Sequence, residues 1–336
     1  MNLTHNGRSE AVTRALSDFG SEDSFRHAAK RFAEHYKYEV HASTVSRVTK
    51  QVAEDALSYV EQTLAEASDA SEHAPAFAEG VECMVVDLDG CEIRTAVFAP
   101  GGQAQDRTPV RQAPTQQKEI AWREVRIGFA RPLESMSKTY VGKKASYPDV
   151  VSDLVQAAVL QGMAPTTQVI GVGDGGIGLK EELEKQFPTM QFVLDKPHLK
   201  DHLYETAEAV GLSQQERVAW VKTRLDAICA GDVGTVKAEL EETYANAPHD
   251  RVRRFLEYLT RFADAVDYDH FTKHGYPIGS GEVESAHKMI PQKRLKLPGA
   301  CWHPDSINPM VALRIVRANE WWEDFWKGRI EEKLAA

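Results

Sequence analysis

The segment Gln168-Val169-Ile170-Gly171-Val172-Gly173-Asp174-Gly175-Gly176 narrows most sharply what this chain can fold into. A short apolar run bounded by glycine reads as a buried strand, Gln168 to Gly173. Helical spacing follows from Ile177 to Gln186, then a further strand from Met190 to Leu194. Strand, helix, strand belongs to an α/β sheet. Asp174 then stands at a strand end, flanked by glycines that let backbone or ligand come close.

Two more acids share that character. Asp89 lies in Met84-Val85-Val86-Asp87-Leu88-Asp89-Gly90, and Glu284 in Gly279-Ser280-Gly281-Glu282-Val283-Glu284-Ser285-Ala286-His287-Lys288, at the head of a helical, basic stretch. Two acids at strand ends and one on a later helix can hold two hard cations between them. Magnesium binds through few carboxylates plus substrate phosphate. Two such ions clamp the attacking and leaving oxygens of a phosphoryl displacement. Asp87 rivals Asp89, because both point to one strand face. Asp89-Gly90 between apolar runs is also a plain hairpin signal. Glu282 lies two helix positions from Glu284 and faces elsewhere, and Glu284 with Lys288 also fits a surface pair one turn apart.

At 336 residues the chain has room for two or three domains. Its 42% hydrophobic and 27% charged residues are ordinary for a globular protein. No apolar run approaches the ~18 residues of a membrane span. The polar N-terminus lacks a signal-peptide core, and Cys83, Cys91, Cys229 and Cys301 form no Cys-x-x-Cys pair. Neither a zinc site nor a disulfide framework is expected, and a reducing cytoplasm fits. A net charge of −10 argues against a protein wrapped all over in nucleic acid. The distribution is uneven, however. Ser285 to His303 has no acid and carries Lys288, Lys293, Arg294 and Lys296, and Arg123 to Lys144 is also basic.

Residues 1–65 read as helices, with Ser24 to Ala33 amphipathic, a break through Tyr36 to His41, and a second helix capped by Ser43. This is a helix-turn-helix layout whose second helix offers Ser43, Thr44, Arg47 and Lys50 to a DNA groove. An ordinary helical hairpin is the plainer alternative. Residues 66–80 read as a linker, Val81 to Ala99 as two strands around Asp89-Gly90, Trp122 to Arg131 as a third strand, and Asp149 to Gln161 as a helix. A mixed α/β domain over 81–200 is then interrupted by a helical insertion, 201–275, and resumes over 276–336 with helices at Glu282 to Lys296, broken by Pro291, and Ile307 to Lys327.

Gly171 to Gly176 also matches the Gly-x-Gly-x-x-Gly dinucleotide fingerprint, with Asp195 ending the next strand. Against this, Asp174 would aim a carboxylate into the phosphate cradle, and the unit lies in mid-domain. His198, in Asp195-Lys196-Pro197-His198, can approach phosphate as a proton donor or merely pack at a helix start. Trp321, Trp322, Phe325 and Trp326 read as packing, whereas Trp302 follows the basic run and can stack on a base.

These pieces resemble, in order, the bacterial insertion-sequence transposases of the DD-E class, closest to the ISKra-type group and more distantly the Mutator-like enzymes. The matching segments are Glu82 to Arg94, Gly171 to Gly176, Asp195-x-x-His198, Gly279-Ser280-Gly281-x-x-Glu284-Ser285, Gln292-Lys293-Arg294-x-Lys296-x-x-Gly299-x-x-Trp302, and Ala312-Leu313-Arg314 with Asn319, Trp322 and Trp326. The resemblance implies a ribonuclease-H-like catalytic domain with a helical insertion between the second and third acids. It implies Asp89, Asp174 and Glu284 as ligands of Mg2+ or Mn2+, with Glu284 preferred over Glu282 because the family acid immediately precedes the serine, and it places Asp195 and His198 near the active site. It further implies a DNA transposase that cuts element ends and joins the 3′-hydroxyl to target DNA. Its partners would be double-stranded terminal inverted repeats and target DNA. A homodimer or higher assembly, cytoplasmic and nucleoid-associated, is expected. Relatives often carry more sequence ahead of the helix-turn-helix segment, so a shortened copy is expected too. Two other readings stand beside it: a nucleotide-binding α/β enzyme using the glycine run, and a non-catalytic or domesticated DNA-binding protein.

Overall fold

The computed structural model describes residues 8–72, 78–98, 118–245 and 249–335. The acid-bearing runs are strands of one mixed sheet. Strands β1 (Cys83–Phe98), β2 (Lys118–Pro132), β3 (Thr139–Lys143), β4 (Gln168–Gly173) and β5 (Met190–Leu194) lie in the order β3-β2-β1-β4-β5. The first three are antiparallel, and β4 and β5 run parallel to β1. In the half of β1 that pairs with β4, Met84, Val85, Val86, Asp87 and Leu88 are all buried. Such two-sided burial marks a strand covered by helices on both faces.

The expected pair of strands around Asp89-Gly90 is in fact one continuous strand. β1 pairs with β2 without a break from Met84↔Pro132 to Phe98↔Lys118. Gly90 lies within the ladder, where a Cβ would come 2.4 Å from Glu124 Oε1. The glycine therefore serves a close approach inside the sheet, not a turn. The edge strand β3 had no counterpart in the sequence reading, because Thr139-Tyr140-Val141-Gly142-Lys143 is short and weakly patterned.

Before the sheet come α1 (Glu10–Glu22), α2 (Phe25–Tyr36) and α3 (Ala42–Glu72). Ser9 and Ser24 cap the first two, each accepting a backbone N–H. Leu16, Ala28, Ala29, Phe32, Val45 and Val48 form a small core among the three. α3 begins one residue before Ser43. His41 takes the capping position, its ring Nδ1 accepting the Ser43 N–H at 3.3 Å. α3 also continues to Glu72, through the first part of the stretch expected to be a linker; residues 73–77 lie outside the described residues. From its fourth turn onward it supplies Val52, Ala53, Ala56, Val60 and Leu64 to the same core as the sheet.

α4 (Tyr147–Leu160) and α5 (Leu179–Gln186) are the helices between strands. The insertion is α6 (Lys196–Ala209), α7 (Gln214–Cys229), α8 (Val233–Thr243), α9 (Asp250–Arg261) and α10 (Tyr268–Lys273). The chain returns with α11 (Gly281–His287), a π-helical turn at Lys288–Gln292 that accommodates Pro291, α12 (Lys293–Leu295), α13 (Ile307–Ala318) and α14 (Trp322–Ala335). α11 packs on β1 and β2, and α13 packs along α3. Among the described residues, no helix is long and apolar enough to cross a membrane.

Candidate active site at the strand ends

Register brings two of the predicted acids together. β1 and β4 pair in parallel up to Asp87↔Val172. Two residues further along each strand stand Asp89 and Asp174, just past the last ladder pair. Burial raises the Asp89 pKa, and the Asp174 charge raises it further, while His287 and the Gly90 N–H oppose the shift. Asp89 Oδ1 accepts that N–H at 2.6 Å, and Asp174 Oδ1 accepts the Gly176 N–H at 2.8 Å. The glycine loop is thus closed on the protein's own carboxylate. Gly175 has φ +82°, and a Cβ there would meet Leu194 and the Tyr258 hydroxyl at 2.9 Å. Tyr258 of α9 also donates to Asp174 O at 3.3 Å, so the insertion braces this loop.

Asp87 occupies the same strand face one pleat deeper and is 2% exposed. Burial pushes its pKa well above the ordinary aspartate value, and the neighbouring Asp89, Asp195 and Glu282 charges add to this. An enclosed acid whose charged form is disfavoured is a poor cation ligand, which favours Asp89 over Asp87 on physical grounds.

Asp195, the N-cap of α6, is fully buried and ties three elements together. Its Oδ1 accepts the Ser280 N–H at 2.7 Å, just ahead of α11, and its Oδ2 accepts the His198 N–H at 3.0 Å and pairs with His198 Nδ1. Burial would raise Asp195, but these donors bring it below its ordinary value. The Asp195 bond lifts His198 to about 9, with Asp174 and Asp89 contributing at longer range. His198 is half-exposed, so a cationic imidazole faces the Asp89–Asp174 pair at neutral pH.

Glu282 and Glu284 have separate fates. Glu282 takes Arg131 through two bonds, 2.7 and 3.0 Å, and Lys138 at 2.5 Å. Burial would raise its pKa, but these two cations hold it below the usual range. Glu284 is exposed at the start of α11, and none of the described basic residues pairs with it, Lys288 included. One turn later His287 is buried, its Nε2 3.5 Å from Asp89 Oδ2, with neither ring nitrogen hydrogen-bonded. Burial lowers the His287 pKa, so it sits neutral against Asp89. No sequence argument had singled out His287; its helical spacing from Glu284 was the available signal.

Among the described residues, no group of three or more His, Cys, Asp or Glu side chains is arranged to hold a metal ion. Asp89 and Asp174 are brought together, and Glu284 does not complete a three-ligand group with them. The chemistry of the pair nonetheless suits a hard divalent cation. Both are oxygen ligands, and no described Lys or Arg neutralises either.

The basic residues divide in the same way. Ser43 and Arg47 are exposed, Thr44 and Lys50 half-buried, all near the start of α3. Lys288 and Lys296 are exposed, and Lys296 acts electrostatically on His287. Lys293 is ion-paired to Glu22. Arg294 and Trp302 correct the sequence reading. Arg294 is 2% exposed, donates to Gly20 O at 2.8 Å and lies between the Phe25 and Trp302 rings. Trp302 is 5% exposed, and its indole N–H donates to Leu295 O. As placed, neither reaches a phosphate or a base. The Arg123–Lys144 stretch is likewise largely committed inside the protein: Arg126 pairs with Glu124, Arg131 and Lys138 with Glu282, and Lys143 with Asp153. No protein-family model and no curated protein matches this chain.

Proposed function

We propose that this chain is a metal-dependent DNA transposase of the DD-E class, built on a ribonuclease-H-like domain, that cuts element ends and joins the freed 3′-hydroxyl to target DNA. The observation carrying this reading is the closeness of Asp89 and Asp174 just past the last pair of the parallel β1–β4 ladder, beneath a helix that bears Glu284. The strand order and directions are compatible with that fold. Asp89 and Asp174 would hold Mg2+ or Mn2+, with Glu284 supplying a further oxygen. When bound, such cations activate water or a hydroxyl and stabilise both oxygens of the displacement. His198, cationic and held by Asp195, is poised to hold a phosphate oxygen and to deliver a proton to it. Lys288 and Lys296 would draw in the phosphate backbone, and Ser43, Thr44, Arg47 and Lys50 would lie along the element end.

The nucleotide-binding alternative loses ground here. The Gly176 N–H already serves Asp174, and both Asp195 oxygens are occupied. The second reading is a DNA-binding protein without cleavage, favoured by the lack, among the described residues, of three or more side chains grouped to hold a metal ion. The deciding experiment titrates Mn2+ into the full chain calorimetrically and follows nicking of duplex oligonucleotides. Saturable binding and cleavage, both lost in Asp89→Asn and Asp174→Asn with circular dichroism unchanged, are expected. DNA binding that survives Asp174→Ala with no cleavage by the parent chain would select the second reading.

A further inference from the structure

The long β1–β2 ladder carries a surface that the strand-end site does not use. Outside β2, β3 fills the neighbouring lane only as far back as Arg126↔Lys143. From Val125 back to Glu119 that edge has no strand partner among the described residues. The opposite edge of the ladder is closed. The Trp302 N–H donates to Arg94 O at 3.1 Å and the Ala96 N–H to Trp302 O at 2.8 Å. These bonds turn the Arg94 and Ala96 backbones away from β2, so Thr95 faces β2. Its register partner Ala121 faces back, and Ala121 O accepts the Thr95 hydroxyl at 2.8 Å. Alternation then aims the N–H and C=O of Ile120 and Trp122 into the open lane. Edge strands are normally blunted with charge, proline or a covering element. This one carries the exposed charges Glu119, Arg123 and Glu124 but also exposes Ile120 by 46% and Trp122 by 60%.

The open edge is complementary to itself. Antiparallel pairing about a two-fold axis at Ala121 sets Ile120 against Trp122 of a second copy, exchanging two backbone bonds. It also sets Glu119 against Arg123 of the second copy. Both charged residues are exposed, and neither has a side-chain partner among the described residues. Moving the centre one residue either way places Glu119 opposite Ala121 or Ile120 opposite Glu124, and the charge pairing is lost. Opposite charges and apolar pairs directly across a ladder stabilise it, and one surface patch serving both copies is the geometry of a two-fold dimer.

We propose that two copies of this chain associate through the outer edge of β2, paired antiparallel with Ala121 on the two-fold axis. The proposal does not depend on the transposase reading, since it invokes neither the acids nor DNA. Analytical ultracentrifugation of the full chain at micromolar concentrations tests it, together with a charge-swap series and a cysteine probe. A dimer is expected. Glu119→Arg and Arg123→Glu should each weaken it by about tenfold, because each puts like charges opposite twice. The double variant should restore it. Ala121→Cys should cross-link on oxidation, since facing residues of a non-hydrogen-bonded pair have Cα atoms about 4.5 Å apart, within disulfide reach. Ile120→Cys should not, and the parent with its four free cysteines is the control. A monomer at every concentration, a dimer indifferent to the single reversals, or equal cross-linking at 120 and 121 would overturn the proposal. So would a monomeric chain whose Trp122→Ala variant loses affinity for a DNA oligonucleotide, which would assign the edge to nucleic acid.

Discussion

At the scale of single residues, Asp195 matters most although it is not itself a candidate ligand. One buried carboxylate orients His198, anchors the loop before α11 and caps α6. Its ion pair with His198 has a defined pH window. The His198 value is raised from 6.5 to about 9, so its stabilisation is complete below 6.5 and is lost as pH rises through 9. Asp195 is depressed, so its share is present above 3.8 and is lost as pH falls below it. The pair is therefore strongest between those two ordinary values and weakens steadily above neutrality. NMR titration of the metal-free chain should place His198 near 9, with a return toward 6.5 in Asp195→Asn. An unchanged titration in that variant would mean that Asp195 does not control the ring. Gly175→Ala forces a side chain at positive φ into Leu194 and Tyr258. A stability loss of about 2 kcal/mol or more in urea unfolding is expected, along with displacement of Asp174.

Among the elements, the turn from α11 through α12 shows how positive charge can be spent on architecture. Arg294 reads in sequence as one cation of a phosphate-binding run. Instead it links α12 to the end of α1 through Gly20 O, held between Phe25 and Trp302. Burial depresses its pKa to about 10, yet it stays charged at neutral pH. Arg294→Ala should cost about 2–3 kcal/mol in denaturant unfolding, through the stranded carbonyl and the lost ring contacts. The same truncation at Lys288 should leave stability within about 0.5 kcal/mol. A sequence window cannot separate these two residues, because what distinguishes them is a helix some 270 positions earlier, brought close only by the fold. Strands β4 and β5 were legible to the residue, since burial of most of each strand writes a short, mainly apolar run. Asp89-Gly90 was ambiguous because the contact that requires glycine, Glu124, lies on another strand. Asp174 was legible as a strand-end acid; Asp89 instead lies inside β1, just past the stretch that pairs with β4. Their neighbour His287 was not legible, because its significance depends on where α11 docks.

For the molecule as a whole, α3 removes the boundary that composition suggested. Its 31 residues span about 46 Å, serving the N-terminal core with its first turns and the sheet domain with the rest. The two cores should therefore unfold together, in one urea transition by both tryptophan fluorescence and far-UV circular dichroism. Glu54→Pro, at an exposed position in mid-helix, should cost about 3 kcal/mol or more and split that transition in two. Glu54→Ala should do neither.

The shared helix also sets a timetable for biosynthesis. The partners of its first half, α1 and α2, leave the ribosome before it does. Of the helices that pack on its later turns, α4 follows within the sheet domain, but α13 is translated only after the whole sheet and insertion. At about 5–20 residues per second, the apolar stripe from Val52 to Leu64 waits roughly 12–50 s for that cover. During that interval the nascent chain carries a finished N-terminal bundle with a greasy helix trailing from it that α4 alone covers only in part, which is the kind of surface that holding chaperones recognise. Ribosome-bound intermediates stalled before residue 307 should accordingly be protease-sensitive near α3, while α1 and α2 are already protected.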